Sequence, residues 1–479
     1  MAEAVRRFGD QEAIVSREHS MTYSEFSAAT VATAAGLADH SLTAHDHVAV
    51  IAEPCWRYPV LLQAIWSLGA VAVPISHRFP PSMIERLGAE TGCGLVVHDS
   101  SFQPPTTSQT IRPLAIENIV RPSPDNVTIP EPREVPESDS PATILFTSGS
   151  SGTPKGVVHT LAHHLESARA SNANIELSPG DRWLVGLPFH HVAGLAIMFR
   201  TLLAGAAMVI PESHTNLSQT IDEFGVTHLS LVAVQLDRLM KSGLTRPAEV
   251  RLKAILVGGS AIPPDLIRDA HQRGWPIFTT YGSTEMASQI TTTRPSDKLP
   301  QLLSSGRPLG HSEIRLNDAG EILVRGNSLA RGYLVGGEIE PVADGEGWFH
   351  TGDLGEIDDN GCLTVRGRRD RMFISGGENI HPETIELAVA RLPGIVRVCV
   401  FGAEDAEYGY RPIAVVDFGD EEPAREEELR AQLRNESLPG LMVPDRFYLW
   451  PERPETGIVK TDLKTIMACW RRGDLVRLT

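Results

Sequence analysis

Ile144-Leu145-Phe146-Thr147-Ser148-Gly149-Ser150-Ser151-Gly152-Thr153-Pro154-Lys155-Gly156-Val157 leads from an apolar, β-prone run into a loop of hydroxyls and glycines that ends on a lysine. Glycines let backbone N–H groups turn toward an anion, the Ser and Thr hydroxyls add donors, and Lys155 brings a positive charge to the rim. This is the composition of a phosphate cradle. It is not a Walker A loop, which requires Gly-Lys-Ser/Thr after four intervening residues. Here Gly149 is followed by four residues and then Pro154-Lys155-Gly156. The bland alternative is a flexible Ser/Gly linker, and the β-rich runs on both sides speak against it.

Outward from this loop the chain alternates. His47–Ile51, Ala70–Pro74, Leu95–Val97, Ala207–Ile210, His228–Leu231 and Ala254–Val257 are short apolar runs separated by segments of helix length. They predict buried strands of largely parallel sheets in an α/β protein. Tyr58–Ile75 approaches the length of a membrane span but is broken by Pro59, Gln63, Ser67, Gly69 and Pro74. It reads as a buried helix running into a strand. Between Ser100 and Pro141 the chain is rich in Pro, Ser, Thr and Glu and reads as a surface excursion. Beyond Glu313 short strands and turns predict an antiparallel β subdomain. After Arg369 a separate α+β unit of about a hundred residues is expected.

With 479 residues the chain exceeds what one core fills, so at least two domains are expected. A net charge of −17 argues against nucleic acid or anionic membrane as a partner, so any anion site must be locally basic. Five scattered cysteines with no CxxC pair disfavour a disulfide framework and a zinc site. The mixed, charged start at Met1–Asp10 is unlike a secretory leader, and a cytoplasmic location is expected.

Two further markers follow. Tyr281-Gly282-Ser283-Thr284-Glu285 places a hydroxyl and a carboxylate after a β-rich run, suited to a phosphate oxygen and a hard cation. Taken singly, it could be a surface turn with a helix N-cap. Thr351-Gly352-Asp353, followed by Gly367-Arg368-Arg369-Asp370, offers a carboxylate beside glycine for ribose hydroxyls and an arginine to support them, although each alone would suit a β-turn.

In this order, and with Ser375-Gly-Gly-Glu-Asn379 after them, the motifs resemble those of the adenylate-forming superfamily, which includes acyl- and aryl-CoA synthetases, peptide-synthetase adenylation domains and luciferases. The resemblance covers essentially the whole chain. It implies a multidomain α/β fold: a large N-terminal domain (1–368) of two α/β subdomains plus a small β-barrel, and a mobile α+β C-terminal domain (369–479). It implies ATP, magnesium and coenzyme A as cofactors and a small-molecule carboxylic acid as substrate. Residue by residue, Thr147, Ser148, Gly149, Ser150, Gly152, Thr153 and Lys155 would hold the β,γ-phosphates. Thr284 would touch the α-phosphate and Glu285 the metal, Tyr281 and Gly282 would border the adenine or acyl group, and Asp353 and Arg368 would grip the ribose. Asp370 would be the hinge.

The catalytic lysine is assigned to Lys460 in Val459-Lys460-Thr461-Asp462-Leu463-Lys464, where Val459 and Leu463 replace the family's glycine and basic residue. A rival register would put Ile458 at the lysine position. Leu187-Pro188-Phe189-His190-His191, the run Gly194–Leu203 and His228–Leu236 are similar to the o-succinylbenzoate-CoA ligase branch of menaquinone biosynthesis. That likeness implies a catalytic and acyl-pocket role for His191, a substrate carboxylate on Arg200, a backbone pocket wall at Gly258-Gly259-Ser260 and a substrate contact at Ser283. From the residues alone, Arg200 could instead reach the surface or pair with an acid. Ala193 and Ala233-Val234 depart from the branch's usual Ser and Pro-Thr. A ligase for another aryl or medium-chain acid, adenylate transfer to a carrier protein, and a ligand-binding paralogue without turnover stay open, as does a homodimer.

Overall fold

The structure, a computed structural model, describes residues 1–100, 102, 112–121, 139–147, 154–211, 216–242, 251–419, 421–435, 438–451 and 463–479. Two large sheets form its body. The nine-stranded sheet runs in the order Arg307–Pro308, Ser288–Thr292, Ile277–Ser283, Ala254–Val257, His228–Leu231, Arg182–Leu184, Ala207–Val209, Glu12–Val15, Met21–Thr22. From Ile277–Ser283 to Glu12–Val15 all neighbours are parallel, and antiparallel strands close the two edges. The central strands are buried on both faces, which is why Ala254–Val257 reads as an unbroken apolar run. Alternation divides them between two cores: Ala254 and Leu256 enter the one containing Phe199 and Trp183, while Ile255 and Val257 enter the one containing Leu229 and Ile267.

The eight-stranded sheet has the order Glu338–Glu340, Gly332–Val335, Lys155–Thr160, Pro141–Thr147, Val71–Pro74, His47–Ile51, Leu95–His98, Arg112–Ala115. Helix Arg57–Ser67 is buried and runs into strand Val71–Pro74, as the interrupted apolar stretch predicts. Strand Arg112–Ala115 is a difference from the expected surface excursion, since this part of the segment adds an edge strand beside Leu95–His98. Its apolar content is too thin to announce that pairing, which the neighbour's free edge supplies. The phosphate stretch is the crossing point of an antiparallel hairpin, with Thr147 opposite Lys155.

The expected antiparallel subdomain is built on a four-stranded sheet, Ser312–Leu316, Glu321–Gly326, Phe349–Ile357 and Leu363–Arg368. The C-terminal unit has its own sheet, in which Arg397–Asp405 and Gly409–Asp417 form a long hairpin. One face packs on helices Pro382–Val389 and Glu426–Asn435, the other on helix Leu463–Arg472. Among the described residues no helix is long and apolar enough to cross a membrane.

Candidate functional site

The nine-stranded sheet gathers the site at the carboxyl ends of its parallel strands. His190 and His191 follow Arg182–Leu184, Val232 follows His228–Leu231, Gly258 and Gly259 follow Ala254–Val257, and Thr284 and Glu285 follow Ile277–Ser283. Parallel strands end on one edge, so segments a hundred residues apart in sequence become neighbours there. Around this edge the eight-stranded sheet contributes its hairpin and the antiparallel sheet contributes Asp353 and Arg368.

Asp353 and Arg368 face each other as a cross-strand pair rather than lying in turns. Arg368 Nη1 donates to Asp353 Oδ1 at 3.3 Å and to the Thr351 carbonyl at 2.8 Å. Tyr281 Oη donates to the other Asp353 oxygen at 2.7 Å, tying the nine-stranded sheet to the antiparallel one. Burial raises the Asp353 carboxyl above the ordinary aspartate range, against the lowering pull of the Tyr281 hydroxyl and the Arg368 charge. Gly352 has φ 72°, a conformation that disfavours a side chain, and a Cβ there would lie 2.9 Å from Arg368 Nη2. Asp370 pairs with the same guanidinium, 3.2 Å from Arg368 Nε.

Tyr281, Gly282 and Ser283 belong to the strand itself, and Thr284–Met286 is a single 3-10 turn with no side-chain cap, so the helix N-cap alternative does not hold. A Cβ on Gly282 would run into the Ser288 carbonyl. Ser283 Oγ is buried without a hydrogen-bond partner. Ala287 and Ser288, just beyond, have φ 52° and 128°, two non-glycine residues in succession on the strained side of the map.

Three contacts at this turn come from residues the sequence did not single out. Tyr333 Oη donates to Glu285 Oε1 at 2.8 Å, and Lys155 Nζ lies 4.9 Å from the centre of the Tyr333 ring. Behind them His159 Nε2 donates to the Thr284 carbonyl at 2.7 Å. His159 is buried, with His163 and His164 beside it, and burial pushes its pKa down to about 3. It is therefore neutral, with its proton on Nε2, because a carbonyl can only accept. One signal was available in the sequence: Lys155, Val157 and His159 share one face of a strand, so His159 is a polar residue at a core position.

Arg200 sits in helix Val192–Ala204, which begins at His191 and packs on helix Leu161–Asn174 and strand Ser288–Thr292. It is only 1% exposed. Its Nη2 donates to Ser288 Oγ at 3.1 Å, its guanidinium lies 5.1 Å from the centre of the Trp183 ring, and its Nε has no partner. Among the described residues no carboxylate stands within ion-pair distance of it, so neither surface escape nor an acidic partner accounts for the residue. Burial lowers its pKa to about 9. The His190 and His191 rings lie 4.5 Å apart, and His77 lies at the edge of His190. Gly258 lies against Thr280, whose Cγ2 would be 2.6 Å from an added Cβ.

The structure thus brings together Thr147, Lys155, Tyr281, Gly282, Ser283, Thr284, Glu285, Asp353, Arg368 and Asp370, with His191, Gly258 and Gly259 just beyond neighbouring strand ends and Arg200 reaching Ser288 from helix Val192–Ala204. Ser148, Gly149, Ser150, Gly152, Thr153 and Lys460 lie outside the described residues. Among the described residues no cluster of three or more His, Cys, Asp or Glu could hold a metal by itself. One carboxylate, Glu285, with a second oxygen not engaged by Tyr333, suits a magnesium ion that arrives with nucleotide phosphates and keeps several waters.

Comparison with known proteins agrees with this geometry. Residues 1–334 match the model of the AMP-binding enzyme family, and residues 384–460 that of the AMP-binding enzyme C-terminal domain. The chain is 30% identical over 477 residues to 2-succinylbenzoate--CoA ligase of Bacillus subtilis, covering 97% of this chain and 96% of that protein. Its fold superposes with a TM-score of 0.87 on o-succinylbenzoate CoA synthetase from Bacillus subtilis in complex with the acyl-adenylate intermediate, at 28% identity over 96% of this chain and 97% of that one. The same synthetase in complex with ATP and magnesium ion gives 0.85, at 28% identity over 96% and 98%. The chain belongs to the AMP-binding enzyme family.

Proposed function

We propose that this protein is an ATP-dependent acid–thiol ligase that activates o-succinylbenzoate as its acyl-adenylate, releases pyrophosphate and passes the acyl group to coenzyme A. The observation that carries the substrate is Arg200, a buried guanidinium with no carboxylate in ion-pair distance among the described residues. A cation desolvated to that degree is costly unless a ligand brings the opposite charge. A substrate with two carboxylates can place one on Arg200 and leave the other to react at the Thr284–Glu285 turn.

In the first half-reaction a substrate carboxylate oxygen attacks the α-phosphorus of ATP and pyrophosphate leaves. Asp353 and Arg368 hold the ribose, while Lys155 and the glycine–hydroxyl loop hold the leaving phosphates. Magnesium, when bound at Glu285, would supply charge neutralisation on the phosphates. Thr284 and Lys460 oppose the negative charge that builds on the α-phosphoryl oxygens. In the second half-reaction the thiol sulfur of coenzyme A attacks the acyl carbon and AMP leaves. We further propose that 1–368 and 369–479 move as two bodies about Asp370. The ion pairs of Arg371 with Glu383 and Glu386 all lie within the C-terminal body, and Arg391 reaches Asp265 across the divide at 3.2 Å.

Pyrophosphate release over a panel of acids, with and without coenzyme A, tests the reading. Release with o-succinylbenzoate, and a thioester only when coenzyme A is present, is the expected result. Release with benzoate or octanoate but not o-succinylbenzoate removes the substrate assignment, and no release with any acid removes the enzyme. Lys460→Ala should abolish adenylate formation and spare thioester formation from supplied acyl-adenylate. Equal loss of both would make the lysine structural.

A further inference from the structure

We propose that Tyr333 is a positioning residue that couples the lysine of the phosphate hairpin to the carboxylate that receives the nucleotide's cation. The inference rests on the proposed ATP chemistry and assigns a role to a side chain that none of the recognised motifs contains. Strand Gly332–Val335 pairs antiparallel with Lys155–Thr160, and Tyr333 stands opposite Val157. Lys155 is two residues from Val157 and so on the same face, diagonal to Tyr333, within reach of an aromatic ring and a long side chain. That register places the ammonium 4.9 Å from the ring centre, while the hydroxyl at the far end of the ring donates to Glu285 Oε1 at 2.8 Å. The backbone repeats the connection: the Ala330 N–H donates to the Glu285 carbonyl at 2.7 Å and the Arg331 N–H to the Val158 carbonyl at 3.0 Å.

The consequence is electrostatic. Lys155 and Glu285 carry opposite charges toward one cleft, and among the described residues neither is in an ion pair. A direct pair would engage both groups in each other. The phenol gives each a partner that does not neutralise it: a π face for the ammonium and one hydrogen bond for the carboxylate, which leaves the second Glu285 oxygen for a cation. An ionised carboxylate can only accept, so in this bond the hydroxyl is the donor.

Two substitutions separate the two ends. Tyr333→Phe keeps the ring and removes the donor, whereas Tyr333→Leu removes both. Calorimetric titration of the full chain with ATP, in magnesium and in EDTA and with no acid present, reads the metal end without turnover. For Tyr333→Phe, metal-free ATP affinity should stay within about twofold of wild type, and the tightening produced by magnesium should shrink about five- to tenfold, one hydrogen bond to a charged group. For Tyr333→Leu the metal-free affinity should also fall by about threefold, and in a Lys155→Met background the same substitution should cost little more, because the ring acts through that lysine. An unchanged magnesium effect in Tyr333→Phe, or equal losses with and without magnesium, overturns the proposal while the function stands. Wild-type protein that binds no ATP in either condition overturns the functional reading and the proposal with it.

Discussion

The nucleotide end and the acyl end proposed for the site satisfy their charges in opposite ways. At the nucleotide end Asp353 is met by Tyr281 and Arg368, Arg368 also by Asp370, and Glu285 by Tyr333. At the acyl end Arg200 is enclosed with a hydroxyl and an indole ring but, among the described residues, no anion. A paired site is set before its ligand arrives and selects by geometry. An uncompensated buried cation is poorly satisfied until an anion enters, so it selects by charge. The contrast fits a nucleotide that adenylate-forming enzymes share and an acid that distinguishes one from another.

The largest expected effect breaks the acyl end. Arg200→Met should raise KM for o-succinylbenzoate by roughly 100-fold or more, the scale of a lost buried charge pair, while KM for ATP stays within about threefold. The same change removes an unpaired buried charge, so the ligand-free protein should unfold no more easily, and by roughly 1–3 kcal/mol less easily, in urea. Loss of stability together with loss of acid binding would make Arg200 a structural cation and dissolve the contrast.

Next comes the nucleotide end. Asp353→Asn should raise KM for ATP by roughly 10- to 50-fold, a charge-assisted hydrogen bond, and leave KM for the acid nearly unchanged. Equal shifts in both would mean that the two ends are not separable. A smaller effect sharpens the pairing. Because the Asp353 carboxyl lies above the ordinary range, its charge is lost early as pH falls, and ATP affinity should weaken before an ordinary aspartate would protonate. Tyr281→Phe removes a hydrogen bond that lowers this pKa. It should move the acid limb of the kcat/KM profile for ATP to higher pH, with a loss of about two- to fivefold at neutral pH. A limb that stays in place would uncouple Tyr281 from Asp353.

A last test reads stability rather than binding and concerns the support behind the turn. His159 is neutral in the folded protein down to about pH 3, whereas in the unfolded chain it takes up a proton near 6.5. The unfolded state therefore binds more protons between these values. The stability held above 6.5 is lost as pH falls, by about 1.4 kcal/mol per pH unit for this residue. Urea unfolding from pH 7 to pH 4.5 should show that slope, and His159→Gln, which keeps a donor for the Thr284 carbonyl, should reduce it by that amount. An unchanged slope would remove His159 from the acid-sensitive set.

What was legible in the sequence follows from where the physical information lies. Ala254–Val257 could be read as a strand because a strand buried on both faces tends to be apolar throughout, whereas His228–Leu231 is equally buried but alternates His and Ser, each hydrogen-bonded, with Leu. The β-rich runs on either side of the glycine–hydroxyl loop were legible as strands, but their antiparallel pairing was not. Asp353, Arg368, Thr284 and Glu285 were legible as chemistry because each lies in a short motif, although the motifs gave no reason to expect Asp353 and Arg368 as a cross-strand pair. Tyr333, His159 and Ser288 were not legible. Each acts through a contact with a residue tens of positions or more away, and no local pattern encodes which residue will stand opposite. The sequence by itself determined the α/β class, the motif order and the presence of a costly arginine in an apolar helix. Only the tertiary structure decided that Arg200 has no acidic partner among the described residues and that Lys155 meets Glu285 through a phenol, because pairing depends on strand register and sheet order, and those are settled by packing over the whole chain.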